Sequence, residues 1–191
     1  MTEKDELTKE QGHYLLRVAR RTIKGQLFGE NEISTHSSDL QDEYLRRRGT
    51  FVTLTINSQL RGCIGHILPE EALIKGIKLN AINAAFRDPR FRPLNKNEFS
   101  QIKIEISILT EPKHLVFTDV SELLEKLHPG IDGVIIKQGF NQATFLPQVW
   151  EQLPSKEQFL SNLCLKAGLD DDAWMAEGLE VSVYQAQVFE E

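Results

Sequence analysis

The feature that most constrains the fold is a regular alternation of side chains between residues 102 and 109. Ile102, Ile104, Ile106 and Ile108 alternate with Lys103, Glu105 and Ser107. Successive side chains of a strand point to opposite faces, so this pattern predicts an amphipathic strand. One face lies on a core and the other meets water, as is typical of antiparallel sheets.

Two hairpins are predicted beside this strand. Phe51–Ile56 has a period of two and is followed by the turn residues Asn57 and Ser58, so the segment Leu60–Ile67 forms the returning strand. Segments 133–136 and 143–146 form a second hairpin around a loop that contains Gly139. Strands that arrive as hairpins favour antiparallel pairing.

Single helices are predicted between these strands. Capping boxes at Thr8–Gln11, Ser38–Gln41 and Ser155–Gln158, with Pro69 and Asp119, mark five helix starts. The corresponding ends are near Gly25, Gly49, Gly168, Phe86 and Pro129, and a last strand covers 181–189. This order predicts an α+β fold with a mainly antiparallel or mixed sheet and flanking helices. We expect one domain over 1–191, with a possible smaller subdomain from parts of 26–50 and 110–150.

Composition restricts the function class. The chain has 191 residues with 28 acidic and 22 basic side chains, a net charge of −6, which argues against nonspecific nucleic-acid binding. It has no apolar run of about 20 residues, so we expect no membrane span. Met1–Glu10 lacks the apolar core of a signal peptide, and two cysteines without CxxC spacing fit a reducing compartment. These features predict a cytoplasmic protein, although a Cys63–Cys164 disulfide stays open.

The strongest candidate site is Leu60-Arg61-Gly62-Cys63-Ile64-Gly65. On a regular strand Arg61, Cys63 and Gly65 share one face. Gly65 would leave space beside the thiol, and a guanidinium beside it would favour the reactive thiolate. Gly62 and Gly65 suit close approach of a ligand or a second backbone, or a β-bulge. In the alternative interpretation Cys63 is a small core residue.

A second candidate is the loop from Arg87 to Pro93. Arg87, Asp88 and Arg90 would bind a substrate carboxylate or phosphate. They would equally suit a structural ion-pair and capping network. Basic residues 46–48 are expected in a last helical turn, where they complement the helix dipole, with an anion patch as the alternative.

Several kinds of chemistry have no signature in the sequence. Metal-ligand spacings and phosphate-binding glycine loops are absent, so no metal and no cofactor are expected. Cys164 lies on an apolar helical stripe, which predicts a structural role. His66 lies close to Cys63 in sequence but should point to the opposite face of the strand.

Four segments of the sequence resemble a known family. Leu60–Gly65, Arg87-Asp88-Pro89-Arg90-Phe91, Leu146–Val149 and Phe159–Leu169 are similar to the AMMECR-one (AMMECR1) family, whose prokaryotic members are called AmmeMemoRadiSam system protein A. The resemblance covers most of the chain from about Gly49. It implies an α+β fold with two unequal subdomains and a cleft near the Leu60–Gly65 motif. It implies no reaction.

The sequence and the resemblance together favour two functions. The first is an enzyme or enzyme component in which Cys63 and Arg61 act catalytically on a small anionic substrate, bound by Gly62, Gly65, Arg87, Asp88 and Arg90. The alternative is a non-catalytic accessory protein. The family name implies that such a protein would act with a Memo-like protein and a radical-SAM enzyme. Nucleic-acid binding is a weaker third hypothesis.

Overall fold

The computed structural model describes residues 6–29 and 41–191 as two compact units. Unit 1 comprises residues up to Glu111 together with Gln187–Glu191, and unit 2 comprises Pro112–Ala186. The fold is α+β, as predicted, and it contains two four-stranded sheets. Among the described residues, no helix combines the length and the apolar character that crossing a bilayer requires.

Unit 1 places helices on one side of an antiparallel sheet. Its elements are α1 (Lys9–Phe28), α2 (Asp42–Leu45), β1 (Thr50–Ile56), β2 (Gln59–His66), α3 (Leu73–Phe86), β3 (Lys103–Leu109) and β8 (Ala186–Glu190). The strand order is β2-β1-β3-β8, and β1 pairs antiparallel with both of its neighbours. Strand β2 is therefore an edge strand, with one side of its backbone facing away from β1.

The core of unit 1 explains the alternation that predicted β3. Its isoleucines are buried together with the stripe of α1 at Leu15, Ala19 and Ile23 and with Ile77 and Ala81 of α3. On the opposite face Lys103 is exposed, but Ser107 and Leu109 are buried, so the expectation that this face meets water was wrong for the second half of the strand. The predicted apolar face of this strand is confirmed.

Helix α1 begins as predicted and ends later. Thr8 and Gln11 form the reciprocal capping box. The helix passes through Gly25 and stops at Gly29, which has φ 69° and donates its amide hydrogen to the Gly25 carbonyl. A glycine within a helix costs about 1 kcal/mol without ending it, whereas a left-handed glycine satisfies the terminal carbonyls. The predicted end near Gly25 was wrong for this reason.

The region around α2 also differs from the prediction. Ser38 of the expected capping box lies outside the described residues, and α2 stops at Leu45 with Arg46 extended. Arg47 instead forms a β-bridge with Ala72, and Leu73 donates to the Arg46 carbonyl at 2.8 Å. The arginine run is thus not a last helical turn. The same bridge holds Ala72 extended, so α3 begins at Leu73 rather than at Pro69.

Unit 2 contains the second sheet and its own core. Its elements are β4 (Lys113–His114), α4 (Val120–Lys126), β5 (Gly133–Gln138), β6 (Asn141–Phe145), α5 (Lys156–Lys166) and β7 (Glu180–Tyr184), with short 3₁₀ helices at Pro147–Glu151 and Ala173–Met175. The sheet order is β4-β7-β5-β6. The rings of Trp150 and Phe159 stack at 3.6 Å between centroids within the core. The predicted hairpin is confirmed, and its turn consists of Gly139 and Phe140.

The predicted last strand is divided between the sheets. β7 pairs with β5 in unit 2, and after Gln185 the chain enters β8, which joins β3 in unit 1. Residues 181–189 read as one continuous strand because the alternation carries no information about the partner strand. The final side chains hold this end in place, since Glu191 accepts from the Ile104 amide at 3.1 Å and pairs with Arg20.

Candidate functional site at Cys63

A β-bulge organises the motif. Thr53 lies opposite Cys63 and Leu54 opposite Gly62, but Thr55 lies opposite Leu60. Arg61 is therefore the extra residue of β2. A bulged residue leaves the ladder and its side chain is re-aimed, so Arg61 does not follow the simple alternation that placed it beside Cys63.

The loop after α3 covers the outer edge of β2 at Cys63. The Cys63 amide donates to Asp88 Oδ2 at 2.9 Å, and Arg90 Nη2 donates to the Cys63 carbonyl at 3.1 Å. Both backbone groups of Cys63 thus point away from β1 and are satisfied by side chains. An edge strand covered in this way cannot recruit another strand at that position.

Asp88 and Arg90 form a bidentate pair within the loop. Arg90 Nε donates to Asp88 Oδ1 at 3.0 Å and Arg90 Nη2 donates to Oδ2 at 2.7 Å. The Asp88 side chain is only 1% exposed, whereas that of Arg90 is 54% exposed. The Arg90 hydrogen bonds, with the amides of Cys63 and Arg90, hold the pKa of Asp88 well below its usual range despite burial. Asp88 is therefore a charged anchor for the backbone of the motif.

A second ion pair immobilises Arg61. Its Nε donates to Glu98 Oε1 at 2.8 Å, and its Nη2 donates to Glu98 Oε2 at 3.1 Å and to the Arg92 carbonyl at 2.9 Å. The hydrogen bonds from Arg61 lower the pKa of Glu98. The Arg61 side chain is 13% exposed. Its charge is neutralised by a partner that lies 37 residues away in sequence.

Phe91 lies between the two arginines. The Arg61 guanidinium carbon is 5.9 Å from the centre of the Phe91 ring and that of Arg90 is 5.5 Å from it. Both distances are within the range of cation–π attraction. The ring therefore links the Asp88–Arg90 and Arg61–Glu98 pairs into one cluster.

The thiol of Cys63 is half-buried and has a hydroxyl partner. Thr53 Oγ1 lies 3.3 Å from Cys63 Sγ across the β1–β2 pair. The sulfur therefore has a polar neighbour that donates a hydrogen bond to it. Arg90 is the arginine that binds the Cys63 backbone, and its pKa is raised chiefly by its hydrogen bonds to Asp88.

At both glycines of the motif, atoms of other residues occupy the place that a side chain would need. A Cβ on Gly62 would overlap the carbonyl oxygen of Ala84 in α3. A Cβ on Gly65 would overlap the ring of its cross-strand partner Phe51 and the carbonyl of Thr50. The expected vacancy beside the thiol at Gly65 is therefore wrong. The close approach of a second backbone, which was the other expectation for these glycines, holds at Gly62.

Two other predicted residues lie apart from the thiol. Arg87 is the C-cap residue of α3, and its Nη1 is 3.4 Å from Asn83 Oδ1, so it does not join the Asp88–Arg90 pair. His66 points away from Cys63, as predicted, and its Nδ1 lies 3.1 Å from Asn80 Nδ2 of α3. It is not placed to act as a base for Cys63.

Cys164 provides the internal comparison for Cys63. It is fully buried on the apolar stripe of α5, and burial raises the pKa of its thiol. Both cysteines are free thiols. Within residues 6–29 and 41–191, no group of three or more His, Cys, Asp or Glu side chains is arranged to hold a metal ion.

Sequence reasoning missed Thr53 and Glu98. Thr53 could have been found from the hairpin register, which requires the bulge to be placed correctly. Glu98 carries no local signal, since nothing in an isolated carboxylate indicates which arginine it will meet. Both residues bring the polar groups that determine the chemistry around Cys63 and Arg61.

Comparisons with known proteins match nearly the whole chain. The sequence model described as AMMECR1 matches residues 16–189. The chain is 41% identical over 188 residues to protein Mbar_A1807 of Methanosarcina barkeri, covering 97% of this chain and 92% of that protein. It is 40% identical over 192 residues to protein MJ0810 of Methanocaldococcus jannaschii, with the same two coverages of 97% and 92%. The crystal structure of uncharacterized protein PH0010 from Pyrococcus horikoshii matches with a TM-score of 0.88 and 35% identity, covering 97% of this chain and 93% of that one.

Proposed function

The chain belongs to the AMMECR1 family, and from the geometry of its own site we propose that it is an enzyme or enzyme component that uses Cys63 on a small anionic substrate. The observation that supports this proposal is the Thr53 hydroxyl at 3.3 Å from a half-buried, free Cys63 sulfur. Such a thiol can be reached by a small molecule and has a polar neighbour, which distinguishes it from a cysteine sealed in an apolar core.

Arg90 is the better candidate than Arg61 for binding the substrate anion. Arg61 is largely buried and its Nε and Nη2 are committed to Glu98 and Arg92. Arg90 is half-exposed, and its Nη1 amino group has no partner among the described residues. A planar guanidinium with one free edge suits a carboxylate or phosphate oxygen. Arg61 then positions the loop and strand through Glu98, while Gly62 and Asp88 maintain the backbone that carries Cys63.

We also propose that the protein works in the cytoplasm. In the cytoplasm glutathione and thioredoxin keep thiols reduced, so Cys63 would remain available as a nucleophile or redox group. An oxidising compartment would block it or pair it with another thiol.

Protection of the thiol tests the proposal. Cys63 of the full chain is alkylated with iodoacetamide near neutral pH, with and without a panel of small carboxylates and phosphate monoesters. We expect at least one anion to slow alkylation of Cys63 about tenfold in the native chain and little in Arg90→Gln. Arg87→Gln is the matched control, because this exposed arginine lies apart from the site. Protection that survives Arg90→Gln, or no protection by any anion, would contradict the proposal.

A second function is favoured by a separate observation. Leu60 is 44% exposed and Leu68 is 56% exposed, and these residues lie at or just beyond the two ends of β2. Gly65 is two residues from Cys63, so its backbone groups point to the same outer edge, beyond the part covered by Asp88. An apolar, partly open edge suits a docked protein. The second function that we propose is an accessory role with a Memo-like protein and a radical-SAM enzyme.

Co-purification separates the two functions. A tagged native chain and the Leu60→Ser/Leu68→Ser variant are each combined with the Memo-like protein and the radical-SAM enzyme. The accessory role predicts a complex that the variant weakens about tenfold, given the apolar surface removed. A complex unaffected by the variant places the contact elsewhere, and no complex at all leaves the accessory role without a basis.

A further inference from the structure

Unit 2 carries a groove that is separate from the Cys63 site. It encloses about 620 Å³ between two stretches of chain, residues 114–120 and residues 174–180. One wall follows the edge strand β4 into α4, and the other joins a 3₁₀ helix to β7. This volume lies in the range of binding pockets for organic ligands.

The lining combines buried aromatic and exposed aliphatic side chains. Trp174 is buried and its Nε1 donates to Ser161 Oγ at 3.0 Å, which fixes the indole. Phe117 packs against the same core. On the lips of the groove, Val116 is 69% exposed and Met175 is 53% exposed. The apolar surface thus extends from the interior of the groove onto both rims.

The ionisable groups of the lining are almost all acidic. Asp119, Glu177 and Glu180 contribute carboxylates, His114 is the other titratable group, and no lysine or arginine belongs to the lining. Asp119 is partly committed as the N-cap of α4 through its Oδ1. Lys137 lies 3.8 Å from Glu180, but both side chains are largely exposed, so this pair screens the rim only weakly. Lys126 also lies beside the groove, since its Nζ donates to the Val116 carbonyl, but its charge is paired with Glu122. The remaining carboxylates of the groove complement positive charge.

We propose that this groove binds an extended peptide segment of a partner protein in which lysine or arginine alternates with apolar residues. The charge of the rim selects the basic side chains, and the Trp174 and Phe117 surface receives the apolar ones. A small cation inside the groove would leave Val116 and Met175 in water, whereas a peptide lying along it covers both lips. Methionine at such a surface adapts to different side chains.

Selection from a random peptide library tests the proposal. Peptides of about nine residues are displayed and selected on the full-length chain, and the affinities of the enriched sequences are measured as synthetic peptides. We expect enrichment of basic and apolar residues, and binding that weakens as salt is added.

Two double variants separate charge from apolar contact. Glu177→Gln/Glu180→Gln should lower the affinity about three- to tenfold, and Val116→Ser/Met175→Ser about tenfold. The matched controls are Glu125→Gln and Ile131→Ser, which change an exposed carboxylate and an exposed aliphatic residue of the same unit outside the groove. Because all these side chains are exposed, urea midpoints should be unchanged, so the loss reports binding.

Several outcomes would overturn the proposal. These are enrichment of acidic peptides, the absence of any enriched peptide, and equal affinity of the selected peptides for the native chain and both groove variants. Spermidine, a small polycation, tests whether the groove binds small cations. Competition by spermidine with an affinity equal to that of the peptides would identify a site for small cations instead.

Discussion

The two faces of strand β2 place different demands on neighbouring residues of one motif. On the face toward α3, Gly62 meets the backbone of Ala84 directly, and no side chain fits between them. On the opposite face, Cys63 keeps a half-buried thiol beside a hydroxyl. The first face is decided by packing and the second by polar contacts. A motif that looks uniform in sequence therefore combines structural and candidate chemical positions, and substitutions should separate them.

The largest effect is expected on the packed face. Gly62→Ala places a methyl group on the Ala84 carbonyl, and because the obstacle is backbone, no side-chain rotation relieves it. We expect a loss of about 3 kcal/mol in the free energy of unfolding, measured by urea denaturation. Gln59→Ala, at an exposed position of the same strand, should change it by less than about 0.5 kcal/mol. If both variants were equally stable, the close approach would not determine the residue.

The second largest effect on stability is expected at Asp88, which binds the outer backbone edge of β2. Asp88→Ala removes a buried carboxylate that accepts from the Cys63 amide and from Arg90. We expect the free energy of unfolding to fall by about 2 kcal/mol, less than at Gly62, because Arg90 is half-exposed and can turn to water. Arg87→Ala should have little effect on the same urea curve. A small effect at Asp88 would mean that the edge of β2 does not depend on this anchor.

The face of β2 that carries Cys63 should be distinguished by the reactivity of its thiol. Cys63 is half-buried and has a hydroxyl donor, whereas Cys164 is sealed in the core of unit 2, where burial raises its thiol pKa. We expect native-state iodoacetamide labelling of Cys63 to be at least about 100-fold faster than that of Cys164, followed by peptide mass spectrometry. In urea the two rates should converge. Comparable rates in the folded protein would remove the chemical distinction between the two cysteines.

Acid should weaken the edge anchor. The folded-state pKa of Asp88 lies below its unfolded value, so its contribution to stability is complete above the unfolded pKa and is lost as pH falls toward the folded pKa. We expect the native chain to lose stability from about pH 5 downward, and Asp88→Asn to reduce that slope by roughly 1 kcal/mol or more over the acid range. Urea midpoints between pH 7 and pH 3 measure this. Parallel pH profiles would contradict it.

The smallest expected effect concerns the hydroxyl alone. Thr53→Val keeps the β-branched shape of the side chain and removes the donor to the sulfur. We expect Cys63 labelling near neutral pH to slow about three- to fivefold, with little change in stability. Thr55→Val provides the control on the same strand. An unchanged rate would show that the hydroxyl does not affect the thiol.

Local patterns predicted most of the secondary structure correctly. Hairpins, capping residues and the isoleucine alternation depend on side chains a few residues apart, and these interactions are complete within each segment. The C-terminal strand shows the limit of such patterns. Its alternation was real, but the change from β7 to β8 at Gln185 depends on which sheet offers a partner.

The candidate site could be predicted only in part. Sequence alone determined that Cys63 lies on a strand beside glycines, that His66 faces away from it, and that a loop rich in arginine follows the next helix. Tertiary structure decided that Arg61 is bound by Glu98, that Asp88 holds the Cys63 backbone, and that Phe51 fills the space at Gly65. The physical reason is the distance along the sequence between the residues that interact. Strand and helix periodicity arise from neighbouring residues, whereas the charge and space around a thiol depend on groups that only the folded chain brings together.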